Sequence, residues 1–378
     1  MTQTKTRPRV HQLDALRGFA MCGIVFMNIL QITGMPQLTG TSAELPAATA
    51  FGMAFTNRFL PIFAFLFGLS FALFLDSAKE RHDKPRLLLV RRLVVLALLG
   101  LAHALLQPGE VLRWYAVFGL LVLLPASYLR RRWMLVLGIV LVAVPTVLAA
   151  RGFFILGPTL IPGLFLLGMA AFHYGLAHSI ERRTRQLLVA FGVGVVVAVG
   201  AGWWEYAGGP RNLNRVEIAG LAFAFVYAVG YVLLLRTPLG RPLGWVFEPL
   251  GRMALTNYLL ATVLIVLADL LIRFDQRAGA YGAILALGVS IGLVQAVLSR
   301  LWLRDHRYGP AEWAWRCLTW WQRVPLRRAG SEAGVGERRQ AGGELDDTVG
   351  RHQPRADGAG GEAPGQRVEG EGAVRREQ

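Results

Sequence analysis

Residues 13–33 form an apolar run long enough to cross a bilayer, yet it contains Asp14, Arg17 and Asn28. An ionisable group inside a membrane helix is costly, so it turns to a protein interior or a water-filled site. Asp14 and Arg17 share a helix face and can pair. Asn28 follows Arg17 by eleven positions. At helical pitch that is within about 20° of the same face and roughly 16 Å deeper. His103 stands eleven residues after Arg92, at a comparable depth in another apolar run. The turn Gln107-Pro108-Gly109-Glu110 follows it, and an imidazole beside a carboxylate is a general-base arrangement. The same spacing also suits a histidine bonded to a neighbouring helix and a glutamate in water. A third group opens a later run at 251–258, where Arg252 and Thr256 lie one turn apart with Asn257 beside them. Arg252 there binds a phosphate or snorkels to headgroups. Glu205, Glu217, His173 and Asp269 sit close to run ends and read as interfacial. No metal site is expected, because Cys22 and Cys317 form no ligand pattern, and no P-loop, HExxH, CxxC or GxSxG occurs.

The elements that position these residues are membrane helices. Only 17% of the 378 residues are charged, and mean hydropathy is +0.43. About ten apolar runs approach bilayer length: 13–33, 52–75, 92–106, 114–129, 133–150, 153–178, 186–206, 217–235, 253–272 and 281–303. Loop charge supports the count. The segment before the first run and the loops at 76–92, 130–132 and 182–185 are basic, whereas 34–51, 107–113 and 151 carry at most one arginine each. This alternation predicts a multi-pass, all-α bundle in a bacterial inner membrane with both termini cytoplasmic. The net charge of +16 then resides mostly in loops facing anionic headgroups. Membrane lipids are the expected partners, and no nucleic acid is. Asp14 and Arg17 interrupt what would be a signal-peptide core, so cleavage is not expected.

Four segments follow: a cytoplasmic N-terminus at 1–12, a transmembrane domain at 13–304, an amphipathic interfacial helix at 305–325, and a disordered tail at 326–378. The interfacial segment mixes Trp313, Trp320 and Trp321 with Arg316 and Arg323. The tail lacks aromatics and holds ten of the chain's 24 acids, a composition that cannot bury enough to fold. Helix breakers occur at Pro61, Pro125, Pro145, Gly157-Pro158 and Pro162-Gly163.

The residues also carry a resemblance. Leu-Asp-Ala-Leu-Arg-Gly at 13–18 with Asn28, the run 59–68, and Arg92 through Gly100 and His103 to 109–112 resemble the YeiB-like bacterial membrane proteins, a family of unknown function. Tyr115-Ala116, 251–258 and 309–316 extend the match. Where the family commonly has Gly-Asp-Ile-Leu, this chain has Gly109-Glu110-Val111-Leu112. The opening motif is also similar to that of transmembrane acetyltransferases of the heparan α-glucosaminide type. These pass an acetyl group from cytosolic acetyl-CoA to an acceptor across the membrane, using an Asn and a His after the first span. Asn28 matches the Asn. No His lies between Asn28 and His82, so His103 would supply the base from another helix. The resemblance implies acyl transfer from acyl-CoA, with no bound cofactor, to a hydroxyl or amine acceptor. Asp14, Arg17, Arg252, Thr256 and Asn257 would hold substrate; Asn28, His103 and Glu110 would do the chemistry. A permease or flippase for a small solute or lipid, and a non-catalytic membrane scaffold, are the alternatives.

The loop charges generate a test. In a variant lacking Cys22 and Cys317, single cysteines in 34–51 and 107–113 should react with an impermeant reagent from the periplasmic side, and those in 76–92 should not. The reverse pattern would invert the orientation.

Overall fold

Apolar runs near twenty residues become helices because hydrocarbon offers backbone N–H and C=O groups no partner outside the chain. The computed structural model describes residues 11–35, 45–153, 157–179, 182–208, 212–274 and 280–328. Most of the expected cytoplasmic N-terminus, 1–10, lies outside the described residues, as does the expected disordered tail from 329 onward.

The described chain is all-α, with one isolated β-bridge, His306 to Arg327. The first five helices are α1 (His11–Thr33), α2 (Leu45–Phe55), α3 (Leu60–Lys79), α4 (Pro85–His103) and α5 (Leu112–Phe118). A π turn, Gly119–Leu123, joins α5 to α6 (Leu124–Ala126), and α7 (Arg131–Ala150) follows. A 3₁₀ turn, Gly157–Leu160, leads to α8 (Ile161–His173) and the short α9 (Leu176–Ser179). Next come α10 (Thr184–Gly208), α11 (Leu213–Leu234), α12 (Gly240–Arg252), α13 (Ala254–Ile272), α14 (Tyr281–Asp305) and α15 (Pro310–Trp320).

Seven helical stretches among the described residues are long and apolar enough to cross a membrane: α1, Pro46–Lys79, α7, α10, α11, α13 and α14. The stretches Leu112–Ala126 and Pro158–His173 are apolar but shorter. The remaining expected run, 92–106, is α4, which starts seven residues before position 92. Pro85 sits at its first turn, where the missing N–H costs nothing. Arg86, Arg91 and Arg92 therefore belong to a helix and not to a loop.

Other boundaries shift for equally local reasons. The expected run 52–75 is two helices. The chain turns at 56–59, where Asn57 takes φ +55°, and Pro61 opens α3 without kinking it. Pro162 likewise starts α8. Pro125 lies just after the π turn, whose wider hydrogen-bonding absorbs the donor that proline lacks. The helix α12 was not expected: 236–252 reads as a loop on charge. Yet Leu243, Phe247 and Leu250 recur at helical spacing and Leu250 is buried.

Glycines set the closest helix contacts. A Cβ at Gly18 of α1 would overlap the Phe247 carbonyl of α12, and one at Gly251 would overlap the Asp14 carbonyl. Gly68 of α3 and Gly168 of α8 oppose the Phe165 and Phe65 carbonyls in the same reciprocal way. Small residues that let backbones touch are the usual membrane solution, since lipid supplies no hydrophobic drive between helices. At the periphery, α10 pairs with α11 and leaves Val193, Val196 and Val199 exposed, as a lipid-facing helix does.

That peripheral pair is tied in by charge. Arg58, at the α2–α3 turn, is fully buried and ion-paired to Glu205 of α10. Its other donors reach the carbonyls of Met53 at 2.9 Å, Thr56 at 2.6 Å and Val216 at 3.4 Å. Asn57 donates to Glu217 of α11 at 2.8 Å. Glu205, expected at an interface, is thus inside the protein. Removing one partner of such a pair leaves a buried charge, at a cost of about 3–5 kcal/mol. Glu205→Ala should lower the unfolding midpoint in detergent sharply, whereas Arg58→Met/Glu205→Leu should recover most of the loss. Equal losses in the two variants would show that the pair is not what holds α10.

Candidate functional site

Helix α1 presents Asp14 and Arg17 on one face, and Arg17 donates to Asp14 at 3.2 Å. Arg17 also donates to Ser70 of α3 at 2.7 Å, which fixes its guanidinium between two helices. Both residues line a cavity of about 450 Å³. Five arginines line it in all: Arg17, Arg81, Arg92, Arg252 and Arg316. Arg92 lies close enough to Arg17 and Arg316 to feel both charges. It is sandwiched by Phe74 and Trp315, 4.5 and 4.0 Å from its guanidinium carbon. Two acids share the lining, and both are engaged: Asp14 by Arg17, and Glu312 by the start of α13. The wall is therefore cationic at this end.

Away from the arginines the lining turns apolar and aromatic. Along α3 it runs from Ala78 back to Phe63, about 22 Å of helix. Phe67, Leu96, Val111, Tyr115 and Tyr258 also face the cavity. Tyr258 supplies a polar atom there. Its hydroxyl donates to Glu110 Oε2 at 3.3 Å.

Behind Tyr258 lies a closed polar cluster. Glu110 is 1% exposed. It pairs with His103 Nδ1 and accepts the Leu112 backbone N–H at 2.5 Å. His103 Nε2 meets Thr262 Oγ1 of α13 at 2.9 Å. Glu110 is thus no loop carboxylate in water: the turn at 107–110 folds it back under α4. His103 does bond a neighbouring helix, and it has its carboxylate as well. An imidazole held at both nitrogens is oriented as a base requires.

Asn28 is buried and accepts a bond from Gln107 Nε2 at 3.0 Å, and the same amide reaches Gln31 at 2.9 Å. The Gln107 backbone N–H in turn donates to the His103 carbonyl at 3.0 Å. Asn28 and His103 are therefore linked through Gln107, and neither is among the residues lining the cavity. Thr256 and Asn257 do not line it either. Thr256 donates to Glu312 at 2.5 Å and accepts from the Ala311 N–H at 3.0 Å. Asn257 donates to Ser299 at 2.9 Å and to the Leu250 carbonyl at 3.3 Å. Arg252 does line it.

Sequence reasoning missed Tyr258, Arg92, Arg316 and Glu312 as site residues. Tyr258 stands next to Asn257 in the motif at 251–258, and a phenol at membrane depth was the available signal. Arg92 and Arg316 read as ordinary interfacial cations. Glu312 accepts the N–H groups of Leu255 and Thr256 at 2.7 and 3.2 Å, so a carboxylate from α15 caps α13. Nothing in local sequence announces a cap from 57 residues away.

A family model described as "Protein of unknown function (DUF418)" matches residues 171–322. An uncharacterized 39.9 kDa protein of the amylase 3′ region in Bacillus acidopullulyticus is 33% identical over 344 residues, 84% of this chain and 96% of its own. Uncharacterized protein YxaH of Bacillus subtilis (strain 168) is 26% identical over 399 residues, covering 85% and 97%. Uncharacterized protein YeiB of Escherichia coli (strain K12) is 27% identical over 397, covering 84% and 96%.

The Glu312 cap yields a paired test. Glu312→Ala orphans two backbone donors and should cost about 1–3 kcal/mol, read as a lower unfolding midpoint. Glu312→Gln keeps an acceptor and should cost less. Burial pushes the Glu312 carboxyl above its ordinary range, against the donors that pull it down. The folded state therefore binds this proton more tightly, so stability falls as pH rises from the usual carboxylate range through the raised value. The glutamine variant should lack that slope.

Proposed function

The chain belongs to the DUF418 family of multi-span membrane proteins, and from that premise we propose that it is a bacterial inner-membrane acyltransferase that uses a coenzyme A thioester. The supporting observation is one cavity that joins five arginines to Tyr258. Its cationic end suits the phosphates of a nucleotide-bearing donor, with Arg guanidinium groups as phosphate ligands. Its volume of about 450 Å³ suits an extended thioester arm and leaves the nucleotide at the mouth.

In this reading the acceptor's hydroxyl or amine attacks the thioester carbonyl. The new ester or amide bond forms as the carbon–sulfur bond breaks, and the acceptor proton leaves towards Tyr258. Glu110 and His103 act through the Tyr258 hydroxyl: they position it and take up the proton. The coenzyme A thiolate is then protonated from water. Asp14 fixes Arg17, and Arg17 with Arg92, Arg252 and Arg316 holds the donor. Asn28, Thr256 and Asn257 are positioning residues here. Asn28 holds Gln107, Thr256 holds Glu312, and Asn257 holds α14.

Cysteine-free protein in nanodiscs, given acetyl-CoA and a membrane extract as acceptor source, should release free thiol. Tyr258→Phe should lower that rate about 100-fold or more without shifting the unfolding midpoint. Arg17→Gln should chiefly raise the KM for acetyl-CoA. Absence of thiol release, with solute or lipid translocation that needs no coenzyme A, would replace this reading by the permease or flippase.

A further inference from the structure

A second basic cavity, of about 710 Å³, lies on the other side of Arg252. It is formed by the start of α1, the amphipathic α12 and the end of α14, with Arg328 also in its lining. Arg241, Arg252, Arg300, Arg304 and Arg328 line it, against one acid, Glu248. Glu248 is engaged by His11 at 2.9 Å. Arg241 and Arg304 are exposed and make no ion pair among the described residues. So many cations around one concavity repel each other unless an anion sits among them.

The surroundings identify what carries that anion. On α14, Val297 and Leu293 stand seven and eleven residues before Arg304, within about 20° of its helix face. They are 51% and 59% exposed, so an open apolar track runs roughly 16 Å into the membrane from the arginines. Trp245 of α12 is 52% exposed beside Arg300, which donates to its carbonyl at 3.1 Å and covers its ring at 4.2 Å. An exposed tryptophan on an amphipathic helix marks the headgroup level. A free phosphate would use the arginines but neither the track nor the indole.

We propose that this cavity is a binding site for the phosphate headgroup of an anionic phospholipid, with an acyl chain laid along the Val297–Leu293 face of α14. The site is separate from acyl transfer, since Arg241 and Arg304 do not line the first cavity.

Full-length protein in mild detergent can be titrated with phosphatidylglycerol, with phosphatidylcholine of the same chains, and with inorganic phosphate. The readout is the unfolding midpoint. Phosphatidylglycerol should raise it; phosphatidylcholine and inorganic phosphate should not. Each basic side chain near anionic headgroups is worth about fivefold, so Arg241→Gln/Arg304→Gln should weaken the response about 30-fold. Arg130→Gln/Arg132→Gln, which removes two charges at the start of α7, should leave it unchanged. If the first pair fails to fold, Arg241→Gln alone should give the fivefold loss. An equal effect of inorganic phosphate would overturn the lipid assignment. An undiminished response in the Arg241/Arg304 variant, or an equal loss in the Arg130/Arg132 variant, would overturn the site.

Discussion

The contact of α1 with α12 governs where everything else in the site can stand. Gly18 and Gly251 each face a carbonyl of the other helix, so the two backbones meet with no side chain between them. That contact sets the start of α1, with Asp14 and Arg17, against the end of α12, with Arg252, and all three line one cavity. A methyl group at either glycine would separate the backbones and open the wall shared by the two basic cavities. Helix packing without a hydrophobic drive depends on such close approaches, which makes a wall built this way sharply intolerant of bulk.

Around this contact the buried polar side chains gather into separate hydrogen-bonded clusters. His103, Glu110, Tyr258 and Thr262 form one closed set. Asn28, Gln107 and Gln31 form a second, and Asn257, Ser299 and Gln295 a third. The first two sets join segments far apart in sequence, and the third ties α13 to α14, the helix that follows it. Polar side chains in a membrane protein commonly act as such interhelical glue, with modest energies per bond and high cost when unpaired. The set that includes Tyr258 differs from the other two in reaching the cavity.

The parts legible in the sequence were those that violate an apolar background. Asp14, Arg17 and Arg252 stand out as charges in or beside bilayer-length runs, and all three line the cavity. His103 and Glu110 stand out likewise and do pair. Arg58 stands out too, yet it was absorbed into a run counted as continuous, because a turn of four residues barely dents hydropathy. The helix α12 was lost for the opposite reason: its charges resemble a loop, and its short apolar face shows only as periodicity. Thr256 and Asn257 join the expected substrate residues through their place beside Arg252 in the motif at 251–258. Their hydroxyl and amide turn instead to Glu312 and Ser299, partners 56 and 42 residues away, which no local pattern encodes.

The Arg58–Glu205 pair also has a bearing on how the protein comes to exist. Its members are separated by 147 residues of chain. At ribosomal speeds of about 5–20 residues per second, the arginine emerges roughly 7–30 s before its carboxylate. During that interval an unmatched guanidinium belongs to a segment already committed to the membrane. Arg58 then has the Met53 and Thr56 carbonyls of its own turn, and its ion pair is complete only once α10 has been made. Biogenesis of the N-terminal half cannot finish before the middle of the chain has been made.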